Sequence, residues 1–336
     1  MLSKKRKPER KSKQFIFICT RHTGVFSMPT LFRAIALVIF SFSCTSLLAT
    51  EYPLTIVDGM GNTIVLQKAP SRISSKTLFT DEIFNEILEP KQLTSISDIA
   101  KEANFSNIAH NLPKGVPLYG LNVEQILANS PDILFAANWS DVAIIEQLKQ
   151  AGIIVYLVDT PFTFEAIQAE ILKIANIVNE TDAGEQLIAT MNTKIAALDN
   201  KITKIADQKL VAIDYNTWGT SSGVDTTWNA LLTSAGIMNA AAQYEQGTYG
   251  QVTMSKELIL VINPDILFLP GWIYGDASGA ENFLATVKND PALQSVKAIK
   301  NNHIYPIPEN LRGTYSQYIA DTLTFVVDQV SEGLDK

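Results

Sequence analysis

The side chains of this protein are poorly placed for catalysis. There is no Gly-x-Ser-x-Gly elbow, no Walker loop, no His-Glu-x-x-His and no Gly-x-Gly-x-x-Gly opening a helix, so the nucleophilic, nucleotide-binding and zinc-hydrolase chemistries that need those spacings are not signalled. His110 and His303 are the histidines beyond residue 50, too few for a cage that holds a bare metal ion. His303 opens an apolar strand, where a structural role suffices. Gly219-Thr-Ser-Ser-Gly223 could cradle a phosphate at a helix start, but a plain flexible loop is the simpler reading.

What remains is recognition chemistry. Trp139, Trp218, Trp272, Tyr119, Tyr249, Tyr274 and Tyr315 all fall at inferred loops or strand ends, and an aromatic cleft suits a bulky, flat or chelated ligand. Arg72 and Arg312 are the arginines beyond residue 50. Arg312 follows a strand end in Pro306-Ile-Pro-Glu-Asn-Leu-Arg, where a lone guanidinium could meet a carbonyl or negative oxygen of a ligand; a surface ion pair is the alternative. Glu124 and Glu257 each stand seven residues before a proline and open a helix, where the dipole favours an acid anyway. Two equivalent acids, one per half of the chain, are also what a two-fold partner would grip.

These residues sit on a duplicated unit. Glu124-Gln-Ile-Leu-Ala-Asn-Ser-Pro131-Asp-Ile-Leu-Phe135 followed by Trp139 recurs as Glu257-Leu-Ile-Leu-Val-Ile-Asn-Pro264-Asp-Ile-Leu-Phe268 followed by Trp272. Each copy reads as a short helix, a Pro-Asp break, a buried strand and a tryptophan just past the strand. Between the copies, Ile188, Met191, Ile195, Leu198, Ile202 and Ile205 recur at spacings of three and four, which predicts one amphipathic helix over residues 181–206. At 1.5 Å per residue it makes a rod of roughly 37 Å, long enough to join two lobes.

Residues 52–67 alternate apolar and polar around Asp58-Gly-Met-Gly61-Asn62 and predict a hairpin. Helix and strand patterns then alternate, with Thr80 as the expected cap of the first helix. A terminal helix is expected over residues 316–330. The fold class is α/β: two Rossmann-like lobes with mostly parallel sheets joined by one long helix. The expected division is an export segment over 1–50, an N-terminal lobe over 51–180, the connecting helix over 181–206 and a C-terminal lobe over 207–336. Ligands of such sheets bind outside the carboxyl ends of the strands, so Trp139 and Trp272 are expected to face one another across the gap.

Nine of the 27 Lys and Arg residues and one of the 34 acids lie in the first fifty residues, leaving 18 basic against 33 acidic residues from Glu51 onward. So acidic a body repels nucleic acid and anionic lipid. From Met28, a basic start, a short apolar run and Leu48-Ala49 read as an export signal, with Met28 as the better start. An uncleaved anchor is the alternative, and lipid attachment at Cys44 is disfavoured by its preceding Ser-Phe-Ser. Cys19 and Cys44 both fall in this segment, so the exported chain is free of cysteine.

Asp58-x-x-Gly61-Asn62 with Ala69-Pro-Ser-Arg72-Ile, Asn122-Val-Glu124 through Pro131-Asp-Ile-Leu, Gly236-Ile-Met-Asn239 and the second Pro-Asp-Ile-Leu resemble the periplasmic binding proteins of ABC importers for iron-siderophores, haem and cobalamin. The likeness runs from Tyr52 to about Gln329. It implies a cleft between lobes with aromatic walls near Tyr119, Trp139, Trp218 and Tyr249. It also implies a docking glutamate per lobe, matched by Glu124 and Glu257, for a dimeric permease. The usual small-residue run ending in Thr-Glu is missing after Arg72, with Thr80-Asp-Glu82 in its place. Scarce arginine disfavours a catecholate chelate and suits a hydroxamate- or carboxylate-type ferric chelate or a corrinoid; haem lacks an assignable axial ligand. The expected protein is a monomeric periplasmic carrier of a metal chelate, most simply a ferric siderophore, with Tyr119, Trp139, Trp218, Tyr249, Trp272 and Arg312 on the ligand and no cofactor or metal site of its own. Cobalamin or haem is the alternative cargo, and a two-lobed enzyme such as a glycosyltransferase is the alternative class.

Overall fold

The computed structural model describes residues 50–334. The expected export segment, with Met28, Cys19 and Cys44, falls on residues outside those described. No helix among the described residues is long and apolar enough to cross a membrane.

The chain enters through an antiparallel hairpin, β1 (Leu54–Val57) and β2 (Thr63–Leu66). Its turn is held by Asp58, whose Oδ1 accepts from the N–H groups of Met60 at 2.9 Å and Asn62 at 2.8 Å. Gly59 brings this turn onto the edge of the first sheet: its N–H reaches the Leu157 carbonyl at 2.6 Å, and a Cβ there would lie 2.5 Å from the Asp159 nitrogen.

The first sheet is parallel, in the order β4-β3-β5-β6, from β3 (Ile73–Ser75), β4 (Leu93–Ser95), β5 (Ile133–Ala137) and β6 (Ile154–Val158). Helices α1 (Leu78–Ile87), α2 (Val123–Asn129), α3 (Val142–Gln150) and α4 (Phe164–Ile177) cover it. All of β5 is buried, as a strand covered on both faces requires. The cap of α1 is Thr77 rather than Thr80: extended Thr77 accepts the Thr80 N–H, and Thr80 is buried inside the first turn. Leu78 and Phe79 thus belong to the helix, which begins ahead of the Thr80 start expected from the sequence.

The connector is helical over the expected span but in two pieces, α5 (Thr181–Ala196) and α6 (Asp199–Asp207). Its six apolar positions take five turns in 17 residues, roughly 3.4 per turn against 3.6 for a straight helix. An unbroken helix would rotate the stripe off its partners. A tighter turn at Leu198, whose N–H bonds the Ile195 carbonyl three residues back, takes up part of that drift and keeps Met191, Leu198 and Ile205 all buried.

The second sheet is again parallel, in the order β12-β11-β7-β9, beside an antiparallel β8–β10 pair. Its elements are β7 (Val211–Asp214), β8 (Thr220–Ser222), α7 (Thr227–Ser234), β9 (Met238–Asn239), β10 (Gln251–Thr253), α8 (Lys256–Ile262) and β11 (Ile266–Pro270). They continue as α9 (Gly279–Asn289), α10 (Lys297–Lys300), β12 (Ile304–Ile307), α11 (Glu309–Arg312) and α12 (Ile319–Leu334). The terminal helix starts three residues later than expected, after a loop that serves the site below. It packs along the connector, with Lys194–Asp321 and Lys201–Asp328 ion pairs, both 2.7 Å, as rungs seven residues apart.

The two repeats are used alike. Ile133 and Phe135 of β5 and Ile266 and Phe268 of β11 point into one core that runs from lobe to lobe, whereas Leu134 with Ala136 and Leu267 with Leu269 fill separate outer cores. Where α4 meets α5, Gly184 approaches so closely that an added Cβ would lie 2.4 Å from the Ala175 Cβ. Gly184→Val is therefore expected to destabilise the protein by about 2 kcal/mol through overpacking. The check is a lower urea midpoint at unchanged slope; an unchanged midpoint would show that the helices part freely.

Candidate functional site

At the carboxyl ends of β6, β7 and β12 the lobes enclose a cavity of about 210 Å³, where open parallel sheets hold their ligands. Phe162, past the end of β6, is its contribution from the first lobe. Facing it, the second lobe supplies aromatic Trp228, Tyr249 and Tyr315 and charged Asp214, Glu309 and Arg312.

The charges form a chain. Arg312 Nη2 lies 3.4 Å from Asp214 Oδ2 and its Nη1 lies 3.4 Å from Glu309 Oε1. Asp214 ends β7 and is buried, and it is fixed by Ser221 Oγ at 2.8 Å, the Ser222 N–H at 2.7 Å and Ser222 Oγ at 2.9 Å. The Gly219–Gly223 segment is thus not a flexible loop and holds no open phosphate cradle: it turns into β8, and its serine donors already surround a carboxylate. Burial raises the Glu309 carboxyl above the ordinary glutamate range, opposed by Arg312, and burial likewise raises the Tyr315 phenol. The indole Nε1 of Trp228 is one of two buried side-chain polar atoms among the described residues without a partner, Gln317 Oε1 being the other.

The aromatic residues singled out by sequence reach different surroundings. Tyr249 lines the cavity from a left-handed backbone position, φ 58°, with its ring 91% exposed at the lip. Trp218 stands 84% exposed at the tip of the β7–β8 turn, which Asn216 closes by accepting the Trp218 N–H. Trp139 is 78% exposed past β5, with no aromatic ring paired to it among the described residues. Trp272, its counterpart in the repeat, instead packs edge-to-face on Phe105 of the first lobe at 5.0 Å and on Tyr274 at 5.9 Å. The ring that meets Trp272 from the first lobe is Phe105 and not Trp139. Tyr119 is buried, with its hydroxyl donating to the Gln125 carbonyl and Lys76 Nζ 3.8 Å above its ring.

Asp214, Ser222, Gln251, Glu309, Phe162 and Trp228 line the cavity without having been singled out in the sequence. Asp214 alone carried a signal, as an acid ending an apolar strand. Among the described residues no group of three His, Cys, Asp or Glu could hold a bare metal ion. A larger hollow of about 440 Å³, lined by residues 86–89, Lys91, Gln92 and Glu180, opens beside the amino end of β4. It lies opposite the strand ends that build sites in such sheets and has no aromatic wall.

Glu124 and Glu257 are exposed in the first turns of α2 and α8. Their helices end alike, in left-handed Ser130 and Asn263. The aspartates that follow tie the next strand to its neighbour: Asp132 Oδ2 accepts the Ser71 and Arg72 N–H groups at 2.8 and 3.0 Å, and Asp265 Oδ2 accepts the Val211 N–H at 3.0 Å. The duplicated motif thus sets both helices in equivalent positions.

Behind the cavity the lobes meet on Glu82 of α1, which is fully buried. Its carboxyl accepts from the Asn107 N–H and Nδ2, both at 2.9 Å, from Ser316 Oγ and, at 3.4 Å, from Thr314 Oγ1, while Gln317 Nε2 bonds its carbonyl at 2.8 Å. Asn107 and Asn310 exchange two amide hydrogen bonds of 3.0 Å across the same seam. Burial pushes Glu82 up to about 7, against its hydrogen bonds, and neighbouring Asp81 up to about 6. Burial lowers Lys76 to about 8.

Comparison with known proteins gives a consistent picture. Residues 73–311 match the periplasmic binding protein family. An uncharacterized ABC transporter substrate-binding lipoprotein of Bacillus subtilis, YvrC, is 24% identical over 270 residues, 77% of this chain and 80% of that protein. The Fe(3+)-citrate-binding protein YfmC of the same organism is 24% identical over 188 residues, 55% of this chain and 56% of that protein. A solved structure described as a possible iron-binding periplasmic solute-binding protein from Staphylococcus epidermidis shares the fold with a TM-score of 0.66 at 18% identity, covering 78% of this chain and 99% of that one.

Proposed function

Because this chain belongs to the periplasmic substrate-binding proteins of ABC importers, we propose that it captures a metal chelate, a ferric siderophore first among them, between its lobes and delivers it to an importer permease from outside the cytoplasmic membrane. It is a carrier and not an enzyme, as its family is. The observation that carries the ligand reading is the cavity at the strand ends, walled by Phe162 of one lobe and by Trp228, Tyr249 and Tyr315 of the other. Aromatic faces at a crevice between two lobes suit a large, partly apolar complex. At about 210 Å³ the cavity takes one side of such a complex. Iron also features in the names of a curated relative and a solved neighbour. A corrinoid or haem is the second reading, since flat macrocycles use the same stacking walls. The proposed carrier acts as a monomer, with Glu124 and Glu257 turned to the permease.

The test is a tryptophan-fluorescence titration with ferric trihydroxamates, ferric citrate, haem, cobalamin and a sugar nucleotide. Saturable quenching by a chelate or macrocycle at micromolar or lower concentration, about −8 kcal/mol or better, is the expected result. A response to the sugar nucleotide with none to the others would overturn the reading.

A further inference from the structure

The charges lining the cavity among the described residues are two carboxylates, Asp214 and Glu309, and one guanidinium, Arg312. From this arrangement we infer that the ligand enters the cleft as a neutral or cationic complex, its positive side against the Asp214 and Glu309 carboxylates, and that anionic chelates are rejected; the inference rests on the carrier reading above.

Arg312 is the one cation on the cavity wall, and its fork is already turned to acids on both sides, 3.4 Å from each. One of those acids cannot swing away: Asp214 is anchored by both serine hydroxyls and the backbone of β8. An incoming carboxylate, catecholate or oxyanion would have to draw the guanidinium off two partners and then lie beside their negative charges. Such repulsion is strong where water is excluded. A cation meets the opposite situation, two carboxylates and the faces of Tyr249, Tyr315 and Phe162, which attract positive charge.

Among the described residues the first lobe's contribution to the cavity wall is Phe162, which carries no charge. Lys76 stands at the end of β3, but its ammonium donates to Ser95 Oγ and to the Ile96 and Tyr119 carbonyls at 2.8 to 3.2 Å and lies over the Tyr119 ring. Burial raises Glu309, yet even with that acid protonated the cavity would be neutral and not positive.

The test compares ferric complexes of different charge on the full chain by tryptophan fluorescence: a trihydroxamate carrying a free ammonium, a neutral cyclic trihydroxamate, a tricatecholate and ferric citrate. The cationic or neutral complex is expected to bind at least about tenfold more tightly than either anionic one, with the cation's advantage shrinking as salt is raised. Glu309→Gln, at a half-buried position outside the sheet, is expected to narrow that ratio severalfold when the titration is run at a pH where the Glu309 carboxyl is ionised. Asp214→Asn tests the buried partner, with its folding checked by circular dichroism. Equal or tighter binding of an anionic complex, or a ratio that Glu309→Gln leaves unmoved, overturns the charge inference and leaves the carrier reading standing. Failure of every chelate, corrinoid and haem to bind overturns the carrier reading and the inference with it.

Discussion

Glu82→Ala is expected to lower stability by about 3 kcal/mol or more, because it leaves buried donors without the carboxyl that accepts from them. The Asn107 N–H, Asn107 Nδ2 and Ser316 Oγ all point at this carboxyl, and Glu82 is almost wholly inaccessible. The same group makes stability depend on pH in a direction opposite to that of most carboxylates. In the folded chain Glu82 titrates at about 7 and Asp81 at about 6, against ordinary values of 4.5 and 3.8. Between those values the folded state holds protons that the unfolded state has released, so their contribution is complete below about pH 4 and is lost as pH rises to about 7. For Glu82 alone the span is on the order of 3 kcal/mol. Lys76 works the other way, its folded value of about 8 lying below 10.5, so stability recovers only at higher pH. Calorimetry should therefore show the melting temperature falling between pH 5 and pH 7.5, and Glu82→Gln should flatten that slope. A wild-type melting temperature that climbs across this window would sink the argument.

The seam also bears on binding. Glu309, Arg312 and Tyr315 line the cavity, while Asn310, Thr314, Ser316 and Gln317 from the same short segment hold Glu82 and Asn107. Loosening the seam therefore moves a cavity wall, and Glu82→Ala is expected to weaken chelate binding as well as the fold.

Removing the two surface glutamates is expected to do the reverse, leaving binding intact and abolishing transport. Glu124 and Glu257 are exposed, lie on helices set by the repeated Pro-Asp motif, and line neither hollow. If each meets a cation of the permease, truncating one partner of a desolvated pair costs about 2–5 kcal/mol, roughly thirtyfold or more in docking affinity per site. Glu124→Ala with Glu257→Ala should thus reduce uptake of radiolabelled chelate to background while the fluorescence titration stays at its wild-type midpoint. A shifted midpoint would show instead that these acids reach the ligand, and normal uptake would remove them from the docking surface.

The elements were legible in the sequence wherever local spacing determines them. The duplicated Ile-Leu-Phe strands, the helices opened by Glu124 and Glu257, the glycine-rich hairpin and the apolar stripe of the connector follow from side-chain periods of two and about 3.6 along a single stretch of chain. They suffice for an α/β protein of two lobes. The turn at Leu198 was hidden, since spacings of three and four suit a straight helix equally well until the partner helix α12 demands that the stripe stay aligned. Convergence of distant side chains was beyond any local pattern. Asp214, Glu309 and Arg312 meet only because β7 and β12 flank β11 in one sheet, and Tyr119 is buried with its ring beneath Lys76, 43 residues earlier. Backbone periodicity is a property of neighbours in the chain, so sequence alone determined the lobes and their duplicated helices. The polarity of the cavity depends on which carboxylates reach the one arginine through space, and tertiary packing alone decided that.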